Sequence, residues 1–71
     1  MTTLRQLRFL VAVADTLSFT RAAERCGVTQ STLSTALKEL EAGLGVQLAE
    51  RTRQSVLMTP AGAEAAARAR A

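Results

Sequence analysis

Apolar positions along the first third of the chain recur at helical spacing. Leu4, Leu7, Leu10, Val11 and Ala14 share one helical face, and Phe9 and Val13 widen it. With Thr3 as N-cap, the spacing predicts a helix over Leu4–Thr16. Ser18 caps a second predicted helix, residues 19–25, whose inner face is Phe19, Ala22, Ala23 and Cys26. Arg21 stands where a Glu or Gln would complete a capping box, so no box is expected there. Thr20, Arg21 and Arg25 point outward. Leu33, Ala36, Leu37, Leu40 and Leu44 form a continuous apolar stripe on a third helix, 30–42, capped by Thr29. Gly43 and Gly45 are expected to end it, Gly45 in the left-handed position.

Beyond Gly45 the pattern changes. Residues 46–50 and Val56–Met58 read as two short strands around the polar connection Arg51-Thr52-Arg53-Gln54-Ser55. Thr59-Pro60 is a helix start. The stretch after it is mostly Ala with Glu64, Arg68 and Arg70, which favours helix, although Gly62 weakens the first turn. This last helix shows no C-cap and reads as the beginning of a longer one. No internal repeat or flexible linker is visible.

The second and third predicted helices are joined by a tight turn at Cys26-Gly27-Val28. Ala22 and Ala23 are small where two helices must approach. Gly27 follows Ala23 by four positions, where the chain reverses and a positive φ is needed. Val28 plugs the turn, and Leu33 and Ala36 face back onto the first of the two helices. That is the layout of a helix-turn-helix, whose second helix lies in the DNA major groove. The polar face of that helix carries Gln30, Ser31, Ser34, Thr35 and Lys38, with no acid before Glu39. Gln can pair in two places with adenine, and Ser and Thr can meet base edges or phosphates. Lys38 suits a phosphate. A hairpin after such a unit is a wing, and Arg51 and Arg53 at its tip can reach a minor groove or the backbone. Arg5, Arg8 and Arg21 are further candidates for phosphate contact, which positions the protein without reading sequence. The same pattern also fits an ordinary structural helical hairpin with solvated polar faces, or a protein-interaction module in which the winged fold and the Ala-rich helix serve only assembly.

Charge and composition narrow the choice of partner. Nine basic residues against six acidic give a net charge of +3, and eight of the nine are Arg. Arg suits forked contacts to phosphate and guanine. Seventy-one residues allow one small domain, and with only two aromatics its core is built from Leu, Val and Ala. A single cysteine, Cys26, and no histidine exclude an internal disulfide framework and make a zinc site implausible. Cys26 is expected to be a small buried hydrophobe. Paired catalytic carboxylates, Ser/His or Cys/His sets and phosphate-cradling glycine loops are all missing, so neither an enzyme nor a cofactor is expected. The longest apolar run, residues 9–14, is too short for a membrane span or a signal peptide, and a soluble cytosolic protein is the default.

The motifs Leu4-Arg5-Gln6-Leu7, Ser18-Phe19-Thr20-Arg21-Ala22-Ala23 and Thr29-Gln30-Ser31-Thr32-Leu33-Ser34 together resemble the N-terminal DNA-binding domain of LysR-type transcriptional regulators. The likeness continues through Leu40-Glu41, Leu44-Gly45-Val46, Leu48, Glu50-Arg51 and Leu57-Met58-Thr59-Pro60-Ala61-Gly62. It implies a mainly α fold: a winged helix-turn-helix over residues 1–59, with a short two-stranded wing, then the start of a linker helix over 60–71. By the same resemblance, Gln30, Ser31, Ser34 and Thr35 fall where bases are read. Arg5, Thr20, Arg21, Thr29, Thr32, Lys38, Arg51 and Arg53 fall at the backbone or minor groove. The implied partners are operator DNA and a second copy through the linker helix, with tetramers in full-length regulators. A small-molecule or redox effector would act only through a further domain. The implied setting is the bacterial cytoplasm, at the nucleoid. Two departures stand out. Many relatives have Pro at the place of Ser31, and many have Phe at that of Ala49, a loss of bulk that thins the packing under the wing. The run from Glu50 to Pro60 also resembles the peroxide-responsive branch.

Overall fold

A computed structural model describes residues 3–51 and 56–70. The element order is α1 (Leu4–Thr16), α2 (Phe19–Cys26), α3 (Gln30–Leu44), β1 (Ala49–Arg51), β2 (Val56–Met58) and α4 (Pro60–Arg70). The mainly α winged helix-turn-helix is thus the observed architecture. Helix α1 is its centre and packs against α2, α3 and α4.

That central place explains where the core departs from the expected stripe. Phe9, Leu10, Ala12 and Val13 are the buried residues of α1, while Leu7, Val11 and Ala14 are half-buried. Leu4 is 73% exposed because it sits in the first turn, beyond the layer that the other helices cover. Leu44, at the far end of α3, is likewise exposed, whereas Leu33, Leu37 and Leu40 are buried. Cys26 is half-buried rather than enclosed. Leu48 and Val56 of the wing and Ala66 of α4 complete the core.

The helix ends are built by local chemistry. Thr3 and Gln6 form a full capping box: the Gln6 N–H donates to Thr3 Oγ1 and the Thr3 N–H to Gln6 Oε1, each at 3.1 Å. Leu17 closes α1 in the left-handed conformation at φ 51°, an uncommon place for a side chain. Ser18 caps α2 through the Arg21 N–H at 3.2 Å, without a capping box. Gly27 ends that helix at φ 69°, and the N–H groups of Gly27 and Val28 donate to the carbonyls of Glu24 and Ala23. This is a Schellman closure, which satisfies carbonyls that the helix end would otherwise orphan. Gly45 closes α3 in the same conformation at φ 72°. Gly43 lies inside the helix, so α3 runs beyond the expected end at residue 42.

The wing is shorter at its start than its hydrophobic pattern predicts. Residues 46–48 are not strand, Val46 is exposed, and β1 begins only at Ala49 and includes Arg51. The strands are antiparallel, with Ala49 opposite Met58, Glu50 opposite Leu57 and Arg51 opposite Val56. The reason for the late start lies in α3. The Glu41 carboxylate accepts the N–H of Leu48 at 2.7 Å, so that donor serves a side chain instead of a ladder, and the carboxylate also accepts the N–H of Ala49 at 3.3 Å. On the other side, Thr59 binds the wing to α4. Its N–H donates to the Leu48 carbonyl, its hydroxyl donates to the Gln47 carbonyl at 2.6 Å, and the same oxygen accepts the Gly62 N–H at 3.0 Å. Gly62 is a close-approach glycine: a Cβ there would stand 1.8 Å from the Leu48 carbonyl oxygen.

Candidate nucleic-acid interface

Helix α3 buries Leu33, Leu37 and Leu40, which leaves Gln30, Ser31, Ser34, Thr35 and Lys38 on its other side. These five lie at offsets of one, four, five and eight from Gln30, so they share a face. Ser31, Thr35 and Lys38 are exposed, and Gln30 and Ser34 are half-buried. The first turn is tied together by hydroxyls. Thr29 Oγ1 accepts the Thr32 N–H at 3.2 Å, donates to Thr32 Oγ1 at 2.8 Å, and lies 3.2 Å from Ser31 Oγ. Thr29 is therefore the cap of the helix as well as a candidate contact.

Gln30 is held from outside its own helix. The Thr20 hydroxyl, in the first turn of α2, donates to Gln30 Oε1 at 3.2 Å. A carbonyl oxygen has two acceptor sites. One remains for a base, and the Gln30 amide N–H groups remain as donors. Arg21 is exposed beside Thr20, with its backbone N–H on the Ser18 cap.

The wing joins this face at one place. Ser34, Lys38 and Glu41 of α3, Phe19 of α2, and Gln47, Ala49 and Arg51 before and within β1 line an open cleft of about 390 Å³. Its floor includes Leu10, Leu37 and Leu48. Ala49 is half-buried on that lining, so the missing bulk noted in the sequence coincides with open space under the wing. The Arg51 guanidinium lies over the Phe19 ring, 4.9 Å from its centroid.

Not every candidate falls within this group. Arg5 lies over the Phe9 ring at 5.1 Å and lines a different cleft, between α1 and the end of α4. Asp15 lines that same cleft and bridges Arg25 at 3.6 Å and Arg70. Arg53 and the rest of 52–55 lie outside the described residues. The helix start at Thr59 is legible in the sequence, but its tie to the wing and the roles of Glu41 and Gly62 are not, although all three stand within the quoted motifs. The Thr3–Gln6 box has a local signature, Thr-x-x-Gln. Among the described residues no cluster of three or more His, Cys, Asp or Glu could hold a metal ion.

A family model described as bacterial regulatory helix-turn-helix protein, lysR family, matches residues 4–63. The chain belongs to the LysR family. Similar proteins include the HTH-type transcriptional regulator EstR of Acinetobacter baylyi, 57% identical over 94% of this chain and 22% of that protein. A probable hydrogen peroxide-inducible genes activator of Mycobacterium avium is 55% identical over 87% of the chain and 20% of its own length. The chain therefore spans about a fifth of the relatives it matches. Among solved structures, the CbnR_DBD–DNA complex superposes with a TM-score of 0.93 at 36% identity, covering 97% of this chain and 79% of that one. Helices α2 and α3 are the helix-turn-helix, and the β1–β2 hairpin the wing, of a LysR-family DNA-binding domain.

Proposed function

We propose that α3 enters the major groove of operator DNA with Gln30, Ser31, Ser34 and Thr35 at the base edges. Thr20, Arg21, Thr29, Thr32 and Lys38 meet the backbone, and Arg51 with Arg53 meets the backbone or minor groove. The observation that carries this reading is the amide of Gln30. It is fixed by Thr20 at the head of a polar face with no acid before Glu39, and Ser34 and Lys38 of that face share a cleft with the wing arginine. A base-reading amide held in place before binding loses less rotamer freedom on contact. Arg5, stacked on Phe9 in the other cleft, stands apart from this set.

The domain works by binding and not by catalysis, as a transcriptional regulator in the bacterial cytoplasm, at the nucleoid. Among the described residues no helix is long and apolar enough to cross a membrane. Residues 1–59 are the reading unit and 60–71 begin a linker helix, through which two copies pair. Two recognition helices would then sit about one turn of DNA apart, roughly 34–36 Å, or a multiple of it. Higher assembly and an effector belong to the longer regulator. The likeness to a hydrogen peroxide-inducible genes activator supports the peroxide-responsive branch as a reading of the longer regulator.

Selection of bound sequences from a random DNA pool tests the reading. A two-fold symmetric consensus is expected, with binding that weakens steeply as salt rises. A folded domain that enriches no sequence would overturn it in favour of a protein-interaction role.

A further inference from the structure

We propose that Phe19 is a positioning residue for DNA binding, whose ring holds the guanidinium of Arg51 in place for a phosphate. The inference rests on the reading of Arg51 as a DNA contact.

Three observations carry it. The first is the register of the hairpin. Side chains alternate along a strand, so Arg51 shares a face with Ala49, and the pairing adds Val56 and Met58 to it. Val56 is buried and Met58 half-buried, whereas Glu50 and Leu57 on the other face are exposed. Arg51 is itself exposed, a cation on the same strand face as these apolar side chains. The second is its partner. Among the described residues no ion pair engages Arg51, and its guanidinium lies over the Phe19 ring at 4.9 Å. The third is where the ring sits. Phe19 is the first residue of α2, directly before Thr20 and Arg21, and shares a cleft with Ser34 and Lys38 of α3. It packs against the core, yet it is only half-buried and keeps part of its surface open.

The chemistry of the pair suits a clamp. Stacking uses the flat face of the guanidinium, and hydrogen bonds to phosphate use its in-plane N–H edge. The two do not compete. A long, free arginine side chain would have to be ordered when DNA arrives, and stacking on Phe19 orders it at folding instead. An aliphatic residue at position 19 could fill the core side of the site but could not hold the cation.

The test is a double-mutant cycle on the folded chain, with Phe19→Leu, Arg51→Ala and both together. Binding to a duplex from the random-pool selection is measured, and thermal melting is followed in parallel. With Arg51 present, Phe19→Leu is expected to weaken binding about two- to fivefold, the size of an exposed cation–π contact. On the Arg51→Ala background it should cause no further loss, and Phe19→Tyr should bind as wild type. Equal losses on both backgrounds would mean that Phe19 acts through packing alone and would overturn the proposal. So would full affinity of Phe19→Leu beside a weakened Arg51→Ala. If Arg51→Ala itself binds as wild type, the assignment of Arg51 to DNA fails first and the proposal falls with it. A readout independent of these variants is the proton NMR shift of the Arg51 δ-methylene in the wild-type chain. Ring currents from Phe19 should move it upfield, and an unshifted signal would contradict the stacked geometry.

Discussion

The helix-turn-helix and the wing share one face of the molecule but are held in different ways. Helices α2 and α3 carry their own ends. Ser18, Gly27, Thr29 and Gly45 cap them within a few residues, and Ala22, Ala23, Leu33 and Leu37 seal the interface between them and α1. The wing has almost no such means. It is a pair of three-residue strands, and an isolated hairpin is marginal in water. Its position is borrowed from elsewhere: from Glu41 of α3, from Thr59 and Gly62 at the start of α4, and from the ring of Phe19. The difference matters for recognition. On the proposed reading, the helix that reads bases is fixed by its own fold, whereas the wing that reaches phosphate is set by a few side-chain tethers.

Substitutions can break this comparison. Gly62→Ala should have the largest effect, because its methyl group would overlap the Leu48 backbone and force the wing from α4. A loss of about 3 kcal/mol is expected, visible as a melting temperature lower by roughly 4–8 °C per kcal/mol. Glu41→Ala should follow at about 2 kcal/mol, since it strips a carboxylate from the N–H groups of Leu48 and Ala49. Amide hydrogen exchange should show the loss at Leu48 first. Ser18→Ala removes only a local cap and should cost about 1 kcal/mol in chemical denaturation. If it cost as much as Glu41→Ala, the contrast between a self-supporting motif and a tethered wing would be wrong. Thr20→Val should be the mildest for the fold, within about 0.5 kcal/mol as a surface change. If Gln30 reads a base as proposed, the substitution should nonetheless blunt preference at that pair, measured on a set of single-base operator variants. Unchanged preference would mean that Gln30 needs no tether.

The two regions also differ in how much of them was legible in the sequence. The helix-turn-helix is local, and local signals name it: Thr and Ser at caps, Gly27 and Gly45 at the two left-handed positions, and leucines at spacings of three and four. Its candidate site is a helical face, so it follows from the same periodicity. The wing is non-local. An acidic residue on α3, such as Glu41, reads as a solvated charge until the strand that it caps is placed beside it. Gly62 reads as a weak helix former because the carbonyl that demands it is fourteen positions earlier in the chain, at Leu48. The pairing of Thr20 with Gln30 and of Phe19 with Arg51 crosses elements in the same way. Leu17 has no sequence signal for another reason: only backbone geometry shows a non-glycine residue at positive φ.

The central claim is a division of labour, with α3 reading bases and the wing holding the backbone. Binding of Gln30→Ala and Arg51→Ala to a preferred duplex and to unrelated duplexes, titrated at several salt concentrations, tests it most directly. Gln30→Ala should lose about 1–3 kcal/mol on the preferred duplex, little on the others, and relax preference at one position. Arg51→Ala should weaken all duplexes alike and reduce the salt slope by about one. Folded variants that both bind as wild type, or a Gln30→Ala loss spread evenly over all sequences, would contradict the account.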